Sequence, residues 1–147
     1  MTDLDAAFRA TTYRIFLPRL GIDLRIAAAN RPLAVWLNHE GIDRWAILSA
    51  WNPGACARSA ADNRQRQAQL EMALLQAEFT TYAAENVADA ADWPVEEACF
   101  VPGISLEEAV TLAQQFGQLA LVHGDAAGIP QLFWIEKGSD GQADRPL

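Results

Sequence analysis

Residues 45–51 read WAILSAW, a near-continuous apolar run that stops at Asn52-Pro53-Gly54. A strand that is apolar at successive positions has to be covered on both faces, so the run predicts a central strand. Ser59 then stands as a helix N-cap, with Asp62 at the fourth position of an S-x-x-[DE] box. Trp45–Gln67 is therefore a strand, a sharp turn and a helix start. Helix starts carry unpaired N–H groups, which makes such strand-to-helix turns natural places for a ligand.

Other elements fall on either side of this unit. Asp3–Arg9 suits one or two helical turns. Thr11–Leu17 is β-prone, with Tyr13, Ile15 and Leu17 on one face, and Ile22–Ala27 alternates as a second strand. Pro18 and Gly21 mark the turn of a hairpin between them. Asn30 caps a helix with Pro32 in its first turn and Gly41 at its end; Leu33, Trp36 and Leu37 share a face. The helix that begins at Ser59 runs to about Ala77. Phe79–Ala84 reads as the next strand, Glu85–Asp92 as an acidic loop closed by Trp93-Pro94, and Glu97–Val101 as another strand. Ser105 with Glu108 forms a capping box for a helix that Gly117 stops. Leu119–His123 and Gln131–Ile135 are the last two strands. Residues 1–136 make one domain on this reading, and residues 137–147 a loose tail.

From Trp45 onward the order is strand, helix, strand, strand, helix, strand, which is the split βαβ order. The expected fold is α+β: a ferredoxin-like βαββαβ core, extended by an N-terminal helix and β-hairpin and by a C-terminal strand, with helices mainly on one face. The alternative is a three-layer α/β arrangement. A doubly wound parallel sheet fits less well, because the middle strands follow each other with no helix between them.

Charge and composition exclude several function classes. The net charge is −8, and Lys137 is the sole lysine. Phosphate binding relies on clustered Lys and Arg, so a nucleic-acid partner is not expected. No apolar run reaches the length of a membrane span. Cys56 and Cys99 are too few and too far apart for a disulfide framework, and no signal peptide is legible at the start, so the expectation is a cytoplasmic protein with free thiols. His39-Glu40 and His123-Asp125 lack zinc spacing, and there is no P-loop, G-x-G-x-x-G or G-x-S-x-G. Neither a metal nor a cofactor is expected. The carboxylate pairs Glu96-Glu97 and Glu107-Glu108 read as solvated faces.

One constellation carries chemistry. On a helical wheel Leu70, Leu74 and Ala77 form a seam, and continuing it backward brings Gln67, Arg66 and Asn63 onto roughly the same face. A core-facing stripe that turns polar needs partners. Asn63 and Gln67 either brace the Asn52-Pro53 turn or line a pocket for a polar or anionic ligand. In the pocket reading Asn52, Asn63 and Gln67 supply hydrogen bonds, Arg64 or Arg66 the charge, and Trp51 an apolar wall. Ala68, Met72 and Leu75 give the same helix a second apolar side, suited to a homodimer or another protein partner, or to packing under the N-terminal segment. A third reading is a small enzyme. Cys56 precedes a capped helix, where a thiolate is stabilised, and His123 ends a strand. Cys99 reads as a small core residue.

The Tyr13 strand, AWNP at residues 50–53, S-A-x-x-N-R-x-R-Q at Ser59–Gln67 and GISLEEAVTLAQQFGQLALV at Gly103–Val122 together resemble a family of small, mostly bacterial proteins that is known as a domain of unknown function. The resemblance covers most of the chain. It implies that the Trp51–Asn52 turn and the Asn63–Gln67 helix start belong together, and it implies no activity.

Overall fold

The computed structural model describes residues 3–135, so the expected tail at 137–147 lies outside the described residues. The chain runs α1 (Asp3–Arg9), β1 (Thr11–Leu17), β2 (Leu20–Leu24), α2 (Arg31–Glu40), β3 (Arg44–Leu48), a 3₁₀ turn (Pro53–Ala55), α3 (Ala60–Gln76), β4 (Tyr82–Ala88), β5 (Glu96–Pro102), α4 (Leu106–Gln115), β6 (Ala120–Asp125) and β7 (Gln131–Trp134). The strands form one seven-stranded sheet in the order β2-β1-β4-β5-β3-β6-β7. Every neighbouring pair is antiparallel.

Local chemistry sets the helix ends. Asn30 Oδ1 accepts from Leu33 N–H, Ser59 Oγ from Asp62 N–H and Ser105 Oγ from Glu108 N–H, so each predicted cap satisfies an orphan donor. Glu108 also accepts from Ser105 N–H, which completes the capping box and holds its carboxyl below the ordinary carboxylate range. Gly41 and Gly117 end α2 and α4 with left-handed φ of 71° and 70°.

Three strands depart most from the expectation, and the central one leaves the sheet at Leu48 rather than Trp51. β2 begins at Leu20, because Arg19 takes a left-handed φ of 64° and closes a tight turn between Leu17 and Leu20. β4 spans Tyr82–Ala88 rather than Phe79–Ala84 and absorbs half of the expected acidic loop. Its polar residues Glu85 and Asn86 are held in the sheet by pairing with β1 on one side and β5 on the other. Cross-strand pairing of this kind overrides local propensity.

The helices do not pack mainly on one face. The layering is that of the three-layer alternative, built around an antiparallel sheet. One core combines Leu33 and Leu37 of α2 with Tyr13, Ile15, Trp45, Ile47, Phe100 and Val122. The opposite core combines Leu70 and Leu74 of α3 and Ala109 and Ala113 of α4 with Ala46, Leu48, Cys99, Val101 and Leu121. Successive residues of β3 alternate between the two cores, as its continuous apolar run requires. An aromatic cluster of Trp36, Trp45, Tyr82 and Phe100 fills the α2 side. Among the described residues no helix is long and apolar enough to cross a membrane.

Candidate functional site

Beyond Leu48 the chain leaves the sheet, yet Ala50, Trp51 and Asn52 remain buried. Their backbone groups still need partners. Side chains supply them. Gln67 Oε1 accepts from Ala50 N–H at 2.9 Å, Arg66 Nε donates to Ala50 O at 3.2 Å, and Gln118 Nε2 donates to Trp51 O at 3.1 Å. Asn63 and Asn52 bond reciprocally: Asn63 Oδ1 accepts from Asn52 N–H at 2.9 Å, and Asn63 Nδ2 donates to Asn52 Oδ1 at 2.8 Å. Asn52 Oδ1 also accepts from Arg58 N–H. The turn holds Asn52, Gly54 and Ala55 at left-handed φ of 47°, 67° and 60°. Asn tolerates that region and Ala does so only with support. The loop is seated on the end of α4, where Gly54 N–H donates to Gly117 O at 2.8 Å.

The polar seam of α3 is thus a set of braces. Asn63 and Gln67 are both 1% exposed. Gln67 Nε2 donates to Glu71. Arg66 spends its second contact on Phe116 O at 2.9 Å and lies 6.0 Å from the Phe116 ring centroid. Arg64 is exposed on the outer side of α3.

On the opposite face of the sheet lies a cavity of about 450 Å³, under α1. Its lining includes Leu4, Ala7 and Phe8 of α1, Tyr13 of β1, Ile47 of β3, Asn86 and Ala88 of β4, Glu96 of β5, Ala120 and Val122 of β6, and Trp51 and Asn52 of the turn. Small side chains create the space. Asn86 and Ala88 stand on one side of β4 by the period-two rule and line it, as do Ala7 and Ala10 in and next to α1. Exposed residues Leu4, Ala90, Asp92 and Trp93 mark the mouth. α1 is tied over the cavity by Tyr13, whose hydroxyl donates to Phe8 O at 2.8 Å, and by Thr11 Oγ1, which donates to Ala7 O at 2.7 Å. Burial pushes the Tyr13 hydroxyl well above its ordinary pKa, so it stays a donor at neutral pH.

Of the six residues expected at a ligand site, Trp51 and Asn52 line this cavity, whereas Asn63, Arg64, Arg66 and Gln67 do not. Glu96, read as part of a solvated face, is half-buried at the cavity wall. Its Oε2 accepts from Asn52 Nδ2 at 2.9 Å and from Trp93 Nε1 at 3.0 Å. Asn86, read as loop, sits on β4 paired with Tyr13 on one side and Glu96 on the other. Two buried side-chain atoms have no hydrogen-bond partner among the described residues, Trp51 Nε1 and Asn86 Oδ1, and both residues line the cavity. The sequence signal for the space is the pair Asn86-x-Ala88, residues without bulky side chains at two same-face positions of β4.

Cys56 and His123 lie outside the cavity lining. Cys56 Sγ touches Gly54 O in an exposed loop. The His123 ring packs edge-on against Phe133 on the α3–α4 side, and burial lowers its pKa. Cys99 is a core residue, its thiol pushed up to about 12 by burial. Among the described residues no three His, Cys, Asp or Glu side chains are grouped to hold a metal ion.

No curated protein and no solved structure matches the chain. A family described as a protein of unknown function, DUF3293, matches residues 48–121, from the last residue of β3 through the braced turn, α3, β4, β5 and α4 into β6. The match spans half of the chain and takes in both the braced turn and much of the cavity floor, and the chain belongs to that family.

Proposed function

We propose that this protein is a binding module for a small molecule, held in the cavity between α1 and the sheet. The observation that carries the reading is the Trp51 indole N–H, which is buried with no partner among the described residues, in a residue that is 8% exposed and lines the cavity. A buried unpaired donor costs about 1–3 kcal/mol, and a ligand acceptor would recover it. The volume lies within the ~300–1,000 Å³ range of small-molecule sites. The walls are mainly apolar, with a few polar groups converging from different strands, which is the usual composition of such sites.

Ethylbenzene is a suitable first probe. The wild-type protein is expected to bind it saturably, followed by calorimetry or by NMR shifts of the lining residues. Ala88→Phe, which fills the cavity, is expected to weaken binding about tenfold or more with the fold retained. Ala120→Leu provides a second filling variant. Equal binding by the wild type and both variants, or no saturable binding of ethylbenzene or of analogues of the same shape that carry a polar group, would overturn the reading.

A second reading is a homodimer through the outer side of α3, where Met72 and Leu75 are 52% and 65% exposed. It predicts a sedimentation coefficient that rises with protein concentration and a Leu75→Glu variant that stays monomeric. The strand order β4-β5-β3-β6, with helices joining β3 to β4 and β5 to β6, supports a ferredoxin-like core within the larger sheet. The acidic balance, the free cysteines and the family resemblance support a bacterial cytoplasmic protein.

A further inference from the structure

From the chemistry of the cavity wall we infer that the ligand is a neutral, mainly apolar molecule that carries both a hydrogen-bond acceptor and a donor, as a carboxamide or a hydroxyl does. The inference rests on the cavity being a binding site, as proposed above. Its first ground is the pair of partnerless atoms. Trp51 Nε1 is a donor only, and Asn86 Oδ1 is an acceptor. A hydrocarbon would fill the space and leave both unsatisfied. A ligand with an acceptor alone would leave the Asn86 oxygen unpaired.

The second ground is charge. Asp92 and Glu96 line the cavity, and none of its described lining residues is Lys, Arg or His. An anion would lose its hydration beside two carboxylates with no cation to compensate, so carboxylates and phosphates are excluded. Glu96 is already engaged by Asn52 Nδ2 and Trp93 Nε1 through Oε2, which sets it as a fixed part of the wall. Phe8, Tyr13, Trp51 and Trp93 add aromatic surface for the apolar body of the ligand.

The arginines near the turn do not alter this. Arg66 donates to Ala50 O and Phe116 O, and neither it nor Arg64 lines the cavity. An anionic ligand at this turn would therefore have to bind on the other side of the sheet from the space that is available.

The test uses three probes of similar shape: 3-phenylpropionamide, 3-phenylpropionate and ethylbenzene. Binding is followed through the indole N–H resonances of uniformly ¹⁵N-labelled protein, with Trp51 assigned by Trp51→Phe. The amide is expected to bind about tenfold tighter than the hydrocarbon and tighter still than the carboxylate. It alone should move the Trp51 N–H resonance downfield, as formation of a hydrogen bond requires. Trp51→Phe and Asn86→Ala should each remove most of the preference for amide over hydrocarbon. Each variant controls for a folding defect in the other. Ethylbenzene binding as tightly as the amide, or the carboxylate doing so, would overturn the ligand class and leave the cavity reading standing. Failure of all three probes to bind at millimolar concentration would overturn the cavity reading and the ligand class with it.

Discussion

Asn63→Ala is expected to destabilise the protein by about 3 kcal/mol, a fall in Tm of roughly 6–12 °C for a domain of this size. The side chain is 1% exposed and makes bonds at 2.9 Å and 2.8 Å to the backbone N–H and side-chain oxygen of Asn52, with a longer one to Arg58 O. Truncation leaves the Asn52 N–H buried with no acceptor, in a residue already at a left-handed φ of 47°. Among the described residues Asn63 alone bonds that N–H, because the sheet ends at Leu48. Thermal unfolding followed by circular dichroism measures the effect. An unchanged Tm would mean that the turn holds without its amide brace, and would return Asn63 to the list of groups available to a ligand.

Gly124→Ala carries a comparable loss, about 3 kcal/mol, by a different mechanism. Gly124 lies opposite Trp45 in the β3–β6 pairing, and a Cβ there would stand 2.4 Å from Trp45 Cζ2 and 2.8 Å from Cε2. The indole has little room to retreat. It is 1% exposed, its Nε1 donates to Asp125 O at 3.0 Å, and its ring packs at 5.6 Å from Phe100. Moving it would break that bond or disturb the aromatic cluster behind it. Urea denaturation of Gly124→Ala, Trp45→Phe and the double variant gives the coupling. The smaller ring in Trp45→Phe is expected to relieve part of the Gly124→Ala penalty, so the double variant should be more stable than the sum of the single losses implies. Strict additivity would show that the indole is not what glycine accommodates.

The two substitutions differ in how visible they were beforehand. Asn63, Arg66 and Gln67 stand out on a helical wheel, because a polar interruption of an apolar seam is a property of one segment. The caps at Asn30, Ser59 and Ser105 are legible for the same reason, each bond closing within a few residues. Gly124 carries no such mark. Its need for glycine is created by a tryptophan nearly eighty residues away, as the bond from Trp45 to Asp125 records. The sequence places β4 too early because Glu85 and Asn86 look like loop residues. Their place in a strand depends on β1, remote in sequence, as well as on β5, which follows after a loop.

The cavity follows the same division. Trp51 and Asn52 were recognisable as residues at a special turn, but which side of the sheet they face follows from where the chain leaves β3. The helices were expected mainly on one face, and the space under α1 arises because they occupy both. The sequence by itself determined the helix ends, the central strand and the polar seam, since these follow from hydrogen bonds and burial patterns within short stretches of chain. Tertiary structure alone decided that the seam braces the turn and that a cavity opens on the other face. Hydrogen-bond satisfaction and unfilled volume depend on segments that meet only when the sheet assembles.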